Sequence, residues 1–141
     1  MPDYDNDNIF AKIIRGELPA HKVFEDDNTL AFLDIMPRAD GHALVIPKAP
    51  SRNVLDIEIA DLCAVMATVQ MIARAGLKAF QAQGAIIQQF NEAEGGQVVF
   101  HTHFHVIPRR AGVELKPPAA IKEDEAVLAR NAERLRAALQ D

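Results

Sequence analysis

The run Val99-Phe100-His101-Thr102-His103-Phe104-His105-Val106-Ile107-Pro108 holds three imidazoles at a strict period of two inside an apolar, β-branched stretch. Strand side chains alternate between the two faces of a sheet, so a strand is the regular structure that puts His101, His103 and His105 on one side and Phe100, Phe104 and Val106 on the other. A mostly apolar strand gains nothing structurally from three adjacent rings that each need hydrogen-bond partners. The face they share is therefore read as a site of chemistry, and the opposite face as core.

Two chemistries use such a face. Zinc takes imidazole readily, and His-x-His on a strand can present two rings to one ion. Over four residues of a regular strand, at about 3.3 Å each, the Cα atoms of His101 and His105 lie roughly 13 Å apart, too far for three short Zn–N bonds to one ion. A third ligand would have to come from elsewhere, and neither Cys-x-x-Cys nor His-Glu-x-x-His occurs; Cys63 is the only cysteine. The other chemistry is nucleophilic catalysis by His103, flanked by two rings that resist being protonated together with it. Just upstream, Asn91-Glu92-Ala93-Glu94-Gly95-Gly96-Gln97 offers a glycine turn whose backbone amides can approach an anion, plus two side-chain amides.

Composition narrows the setting. With 141 residues, 49% of them hydrophobic, the chain is one domain's worth and can bury a real core. A net charge of −5 disfavours a nucleic-acid partner, which calls for a basic face. No apolar stretch of membrane-spanning length and no signal-peptide pattern are expected, and with a single cysteine a reducing cytoplasm is the default.

Along the chain, residues 1–7 read as a polar, disordered leader, and Asp7 or Asn8 can cap a short helix that Gly16 and Pro19 end. Strands are expected at about 22–25, 29–35 and 42–47, with Asp26-Asp27-Asn28 as a tight turn. Asp56 is a candidate cap for a long helix reaching about Gln81, with Leu62, Val65, Met66, Val69, Ala73 and Phe80 at helical spacing and Ile59, Ile72 and Leu77 widening the apolar face. Strands at about 85–91 and 98–107 follow. Lys116-Pro117-Pro118 is an extended linker, and residues 122–139 form an amphipathic helix with Val127, Leu128, Leu135 and Leu139 on its stripe. The order gives an α+β fold: a five-stranded antiparallel sheet with a long helix and short flanking helices.

The segment from Gly96 to Pro108 resembles the signature of the histidine triad nucleotide-binding family, and the resemblance extends upstream through Asn8-Ile9-Phe10-Ala11-Lys12-Ile13-Ile14-Arg15-Gly16, Phe24-Glu25-Asp26-Asp27, Leu30-Ala31-Phe32-Leu33-Asp34-Ile35 and Gly41-His42-Ala43-Leu44-Val45-Ile46-Pro47-Lys48. It implies a histidine triad domain over residues 8–110, with 111–141 as a linker and C-terminal helix of the same domain, and a homodimer joined sheet edge to sheet edge with the long helices packed together. It further implies that His103 attacks the α-phosphorus of a purine nucleotide derivative and is transiently nucleotidylated. His105 then contacts the phosphate and assists the leaving group, while His101 and His42 support the network. Asp34 would bind the ribose, Ile9, Phe10, Ile13 and Ile35 would line the base slot, and Asn91, Gly96 and Gln97 would belong to the phosphate loop. The branch it points to is the nucleoside phosphoramidases, with dinucleoside polyphosphate hydrolysis as the runner-up and a nucleotide-binding scaffold as the reading from another class. Two departures stand out. Asn8 and Ala11 occupy the places of a zinc-binding Cys-x-x-Cys found in many bacterial relatives, so no metal and no cofactor are expected. Val98 stands where relatives often carry a hydroxyl against the phosphate, the loss of one neutral hydrogen bond of about 0.5–1.5 kcal/mol. His21 is left as a surface residue.

Overall fold

In the computed structural model, which describes residues 1–140, two strands run through the middle of the molecule with no exposed residue: β2 (Thr29–Leu33) and β3 (Ala43–Pro47) are buried throughout. Both read as apolar at nearly every position, as a strand covered on both faces must. Around them lie β1 (Lys22–Glu25), β4 (Gly84–Gln88) and β5 (Phe104–Arg109), giving an antiparallel sheet in the order β1-β2-β3-β5-β4. Three helices complete the fold: α1 (Ile9–Ile14), α2 (Ile59–Ala79) and α3 (Glu125–Leu139).

Register sorts the side chains into two layers. The rung Leu33, Ala43, Val106, Ile87 points to one face, and the next rung, Phe32, Leu44, His105, Gln88, points to the other. On the first face Ala31, Val45 and Phe104 pack with Val65, Val69, Ile72 and Ala75 of α2 and Leu128, Ala132 and Leu135 of α3. On the second, Leu30, Phe32, Leu44 and Ile46 meet Phe10 and Ile13 of α1. α1 covers only part of this second face, and the histidines occupy the rest.

Several expectations need correction. β5 starts at Phe104, not near 98, so only His105 of the triad sits on a regular strand. Extending the β3–β5 register would place Thr102 opposite Pro47, which has no N–H to give to the ladder. The chain leaves the sheet there, and Thr102 donates its N–H to the Ser51 carbonyl at 2.9 Å instead. Asp56 does not cap α2; its carboxylate accepts from the N–H groups of Arg52 and Asn53, and the cap position is Glu58 without a side-chain bond. Asn8, of the two candidates, caps α1, accepting from Phe10 and Ala11. Tyr4, in the segment read as a disordered leader, reaches the side chain of His101. Finally, α2 is, by length and a mean hydropathy of 1.3, long and apolar enough to cross a membrane, which was not expected. Its apolar count comes from two sides: one buried against the sheet, the other bearing exposed Ile59 and Met66.

Gly41, one residue before His42, is fixed by geometry. Its φ is +84°, and a Cβ there would lie 2.4 Å from the Phe80 ring. The Gly41→Ala variant should therefore lose about 2–4 kcal/mol through backbone strain and overpacking. Chemical denaturation should show a lowered midpoint; an unchanged midpoint would contradict this account of the turn.

Candidate active site

His103 is the centre of the constellation. Its Nδ1 lies 2.7 Å from the His101 carbonyl, which can only accept, so the ring carries its proton on Nδ1 and leaves a lone pair on Nε2. Phe10 stands edge-on at 4.9 Å and His105 at 5.2 Å between ring centroids. His103 is buried, which pushes its pKa below the ordinary value and keeps the ring neutral.

A second chain of bonds fixes the opposite polarity at His105. The Arg38 N–H donates to Nδ1 of His42 at 3.0 Å, so the His42 proton resides on Nε2. That nitrogen is 2.9 Å from His105 Nδ1 and donates to it, which leaves His105 with its own proton on Nε2. Burial and the neighbouring charges of His105 and Arg38 bring the His42 pKa down to about 3. Burial, then His103 and Arg38, lower His105 to about 4. Two adjacent rings therefore present one lone pair and one N–H.

Asp34 stands at the end of β2, with Oδ1 accepting from the Met36 N–H at 2.9 Å and Oδ2 3.6 Å from His42 Nε2. Burial raises its pKa. His101 is fully buried, donating from Nε2 to the Pro47 carbonyl at 2.8 Å.

The remaining predicted residues divide. Of the base-slot group only Phe10 has a ring contact with the triad; Ile13 is core, while Ile9 and Ile35 are 49% and 43% exposed. Gln97 is buried with both ends of its amide engaged: it donates to the Arg52 and Val99 carbonyls and accepts from Asn53 and the Glu92 N–H. Asn91 likewise braces the Val54 N–H and Gln89. These amides hold the loop's shape. Gly96, at φ +96° against Phe90, turns the chain, and Val98 projects 83% exposed.

Sequence reasoning missed what clamps this loop. Arg52 makes a bidentate pair with Glu92 at 2.8 and 2.9 Å, stacks over Phe100 at 4.1 Å, and shares Glu92 with Asn53. The Ser51 and Thr102 hydroxyls meet at 2.7 Å. These partners lie 39 to 51 residues apart, a separation at which no spacing signal exists. Tyr4 was missed for the same reason, its partner His101 lying 97 residues away, whereas Arg38, four residues from His42, acts through a backbone N–H that no residue type signals.

A model of the HIT domain matches residues 15–112. The chain belongs to the histidine triad (HIT) family. A HIT-like protein from Bartonella henselae, described as involved in cell-cycle regulation and solved with an unknown ligand, superposes at a TM-score of 0.92 with 53% identity, over 97% of this chain and 99% of that one. A Zn-bound histidine triad protein from Mycobacterium smegmatis superposes at 0.83 with 35% identity, over 95% and 94% of the two chains. Among curated relatives, an Arabidopsis thaliana protein named adenylylsulfatase HINT3 is 41% identical over 105 residues, 74% of this chain; the chain spans about half (53%) of that protein's length.

At the first helix the positions hold Asn8 and Ala11, without thiols, and both nitrogens of His101 are engaged. That place does not fit zinc. Asp34, His42 and His105 have ligand atoms within 4.8 Å of one another. There, however, the Arg38 N–H occupies His42 Nδ1, and a metal on Nε2 would have to displace the only ring proton.

The buried imidazoles make the fold acid-labile. Unfolded histidines titrate near 6.5, whereas His42, His101 and His105 hold folded values of about 3, 4 and 4, and His103 is also lowered. Below pH 6.5 the unfolded state binds more protons, so stability falls with pH by up to about 1.4 kcal/mol per unit for each such ring until the folded values are reached. Asp34, raised by burial, takes up its proton earlier in the folded state and opposes the trend near the acid end. Urea midpoints between pH 7 and 4.5 should fall steeply, and less so in His42→Asn; a flat profile would contradict the neutral assignment.

Proposed function

We propose that this HIT protein is a purine nucleoside phosphoramidate hydrolase working through a nucleotidyl-histidine. The observation that carries the reading is the pair of opposed tautomers: a lone pair on His103 Nε2 beside an N–H on His105 Nε2. The His103 lone pair attacks the α-phosphorus while the phosphorus–nitrogen bond breaks, and the departing amine takes the His105 proton. Water then cleaves the phosphorus–His103 bond, returning one proton to His105 Nε2, and releases the nucleoside monophosphate. Asp34, with acceptor capacity remaining on both oxygens, binds the ribose hydroxyls. In the turn at Gly96, Gln97 and Val98 the first two N–H groups are given to the Ala93 and Glu92 carbonyls, so it is Val98 that brings a backbone amide to the phosphate. Phe10, with Ile9, Ile13 and Ile35, forms the apolar ground for the base. An amine leaves phosphorus only when protonated, and the donor available beside the nucleophile is the His105 Nε2–H, whose ring is steadied on Nδ1 by the His42 N–H as its proton leaves.

A second reading is favoured by the Arabidopsis relative, whose name describes cleavage of an adenylyl sulfate. Sulfate departs without a proton, so the two readings separate at His105. Removing that ring in His105→Ala should lower kcat/KM on adenosine 5′-phosphoramidate by about a hundredfold or more and on adenosine 5′-phosphosulfate by less than tenfold. Label from an α-phosphate-labelled substrate should attach to the wild type and not to His103→Asn. Equal labelling of the two would remove His103 as nucleophile, and equal losses at His105→Ala would remove the proton-donor role.

The same reading includes a homodimer. Leu55 and Ile59 are 68% and 72% exposed beside exposed Met66, and β4 leaves one sheet edge unpaired with Ile87 outward. An exposed apolar face of this kind is uncommon on a monomer, and the open edge beside it offers a template for pairing with a second copy. Sedimentation should give twice the 15.5 kDa chain mass, and Ile59→Asp should shift the protein toward one. A wild-type monomer with full activity would refute the interface.

A further inference from the structure

We propose that Tyr4 is a positioning residue for the nucleophile, setting the tautomer and seat of His101, whose carbonyl in turn holds the His103 proton. The inference rests on the nucleotidyl-histidine reading only for its effect on rate; the geometry stands by itself. Each bond in the chain has a forced direction. The Pro47 carbonyl can only accept, so His101 donates from Nε2 at 2.8 Å and its Nδ1 bears a lone pair. Tyr4 Oη is 2.6 Å from that lone pair and supplies the hydroxyl proton. Asn8 Nδ2 in turn donates to the Tyr4 oxygen at 3.0 Å, which leaves the hydroxyl no better direction for its own proton than His101. The rings meet edge-on, 5.7 Å between centroids at 65°.

The consequence lies at His103. His101 is 0% exposed, so without Tyr4 its Nδ1 would be a buried acceptor lacking a donor. Relief would come by rotating the ring or by moving its proton to Nδ1, and either loosens the bond to Pro47 that anchors residues 101–103 where they leave β3. The His101 carbonyl is the acceptor for His103 Nδ1, so that looseness becomes an ill-defined position for the attacking Nε2. Asn8 thus acts twice, capping α1 through Oδ1 and orienting Tyr4 through Nδ2.

Two variants separate orientation from stability. Tyr4→Phe removes the hydroxyl. Asn8→Asp keeps a good helix cap, but puts an acceptor where Nδ2 was and so draws the tyrosine proton away from His101. Long-range nitrogen–proton NMR of the histidine rings in the full-length protein should show His101 in wild type as a single Nε2–H tautomer with a hydrogen-bonded Nδ1. Both variants should lose that Nδ1 signature. The rate of label transfer to His103 should fall about three- to tenfold, the factor corresponding to one neutral hydrogen bond, with KM within twofold of wild type. Unchanged His101 signals in both variants would overturn the proposal, and so would changed signals with an unchanged transfer rate. If wild type itself accepts no label, the hydrolase reading fails, and the NMR comparison alone still decides whether Tyr4 sets His101.

Discussion

Where Pro47 interrupts the donor row of β3, the active site begins. The β3–β5 ladder runs through Val45 and Phe104 and then stops, because two positions further on it would ask Pro47 for an N–H it lacks. The orphaned Pro47 carbonyl takes its proton from His101, and the Thr102 N–H goes to Ser51. Freed from the sheet, residues 97–103 are held by side chains: the Arg52 and Glu92 pair, the Gln97 amide, and the Ser51 and Thr102 hydroxyls. The main-chain bonds given up along the ladder are replaced by a set in which every buried side-chain polar atom among the described residues has a partner.

From that departure the chemistry follows by hydrogen-bond direction. Two backbone groups of opposite character, the Arg38 N–H and the His101 carbonyl, each seize the Nδ1 atom of a ring, and the sign of each determines what reaches the site. A donor at His42 Nδ1 is passed through His42 and ends as an N–H on His105. An acceptor at His103 Nδ1 ends as a lone pair on its Nε2. Neither polarity needs a charged partner, which accords with rings that burial holds neutral.

How much of this was legible in the sequence follows from the range of each cause. Period-two alternation put the three imidazoles on one side of a strand; His103 and His105 do meet, but only His105 lies on the strand, and His101 is bonded away to Pro47 and Tyr4. Local chemistry placed the Asn8 cap, the turn in which Asp26 accepts from Asn28 and Thr29, and the final helix with Leu128 and Leu135 inward. What periodicity could not supply was the end of β5. Alternating residues 98–103 have strand-like pattern, yet pairing depends on the neighbour across the ladder, and Pro47 is more than fifty residues away in sequence. Gln97 and Asn91 were correctly placed in the loop but with the wrong emphasis, since sequence shows an amide and not which way it faces. Tyr4 was hidden by its polar neighbours.

The cost of this architecture explains its surroundings. Four imidazoles crowded near one another in an apolar setting lose hydration, and each stays tolerable only while neutral and hydrogen-bonded on the nitrogen that faces protein. His101 is bonded at both nitrogens and is structural. His103 and His105 are bonded at Nδ1 by protein, leaving Nε2 of each for a reacting group. The rigid face formed by α2 and α3 carries stability on the far side of the sheet, where Ile72, Val65 and Leu135 are fully buried. The near side can then give up apolar contact to a partly open site. The same separation accounts for Gly41: the turn that delivers His42 to the near face must also clear Phe80 on the far one, and only a residue without a Cβ fits both demands.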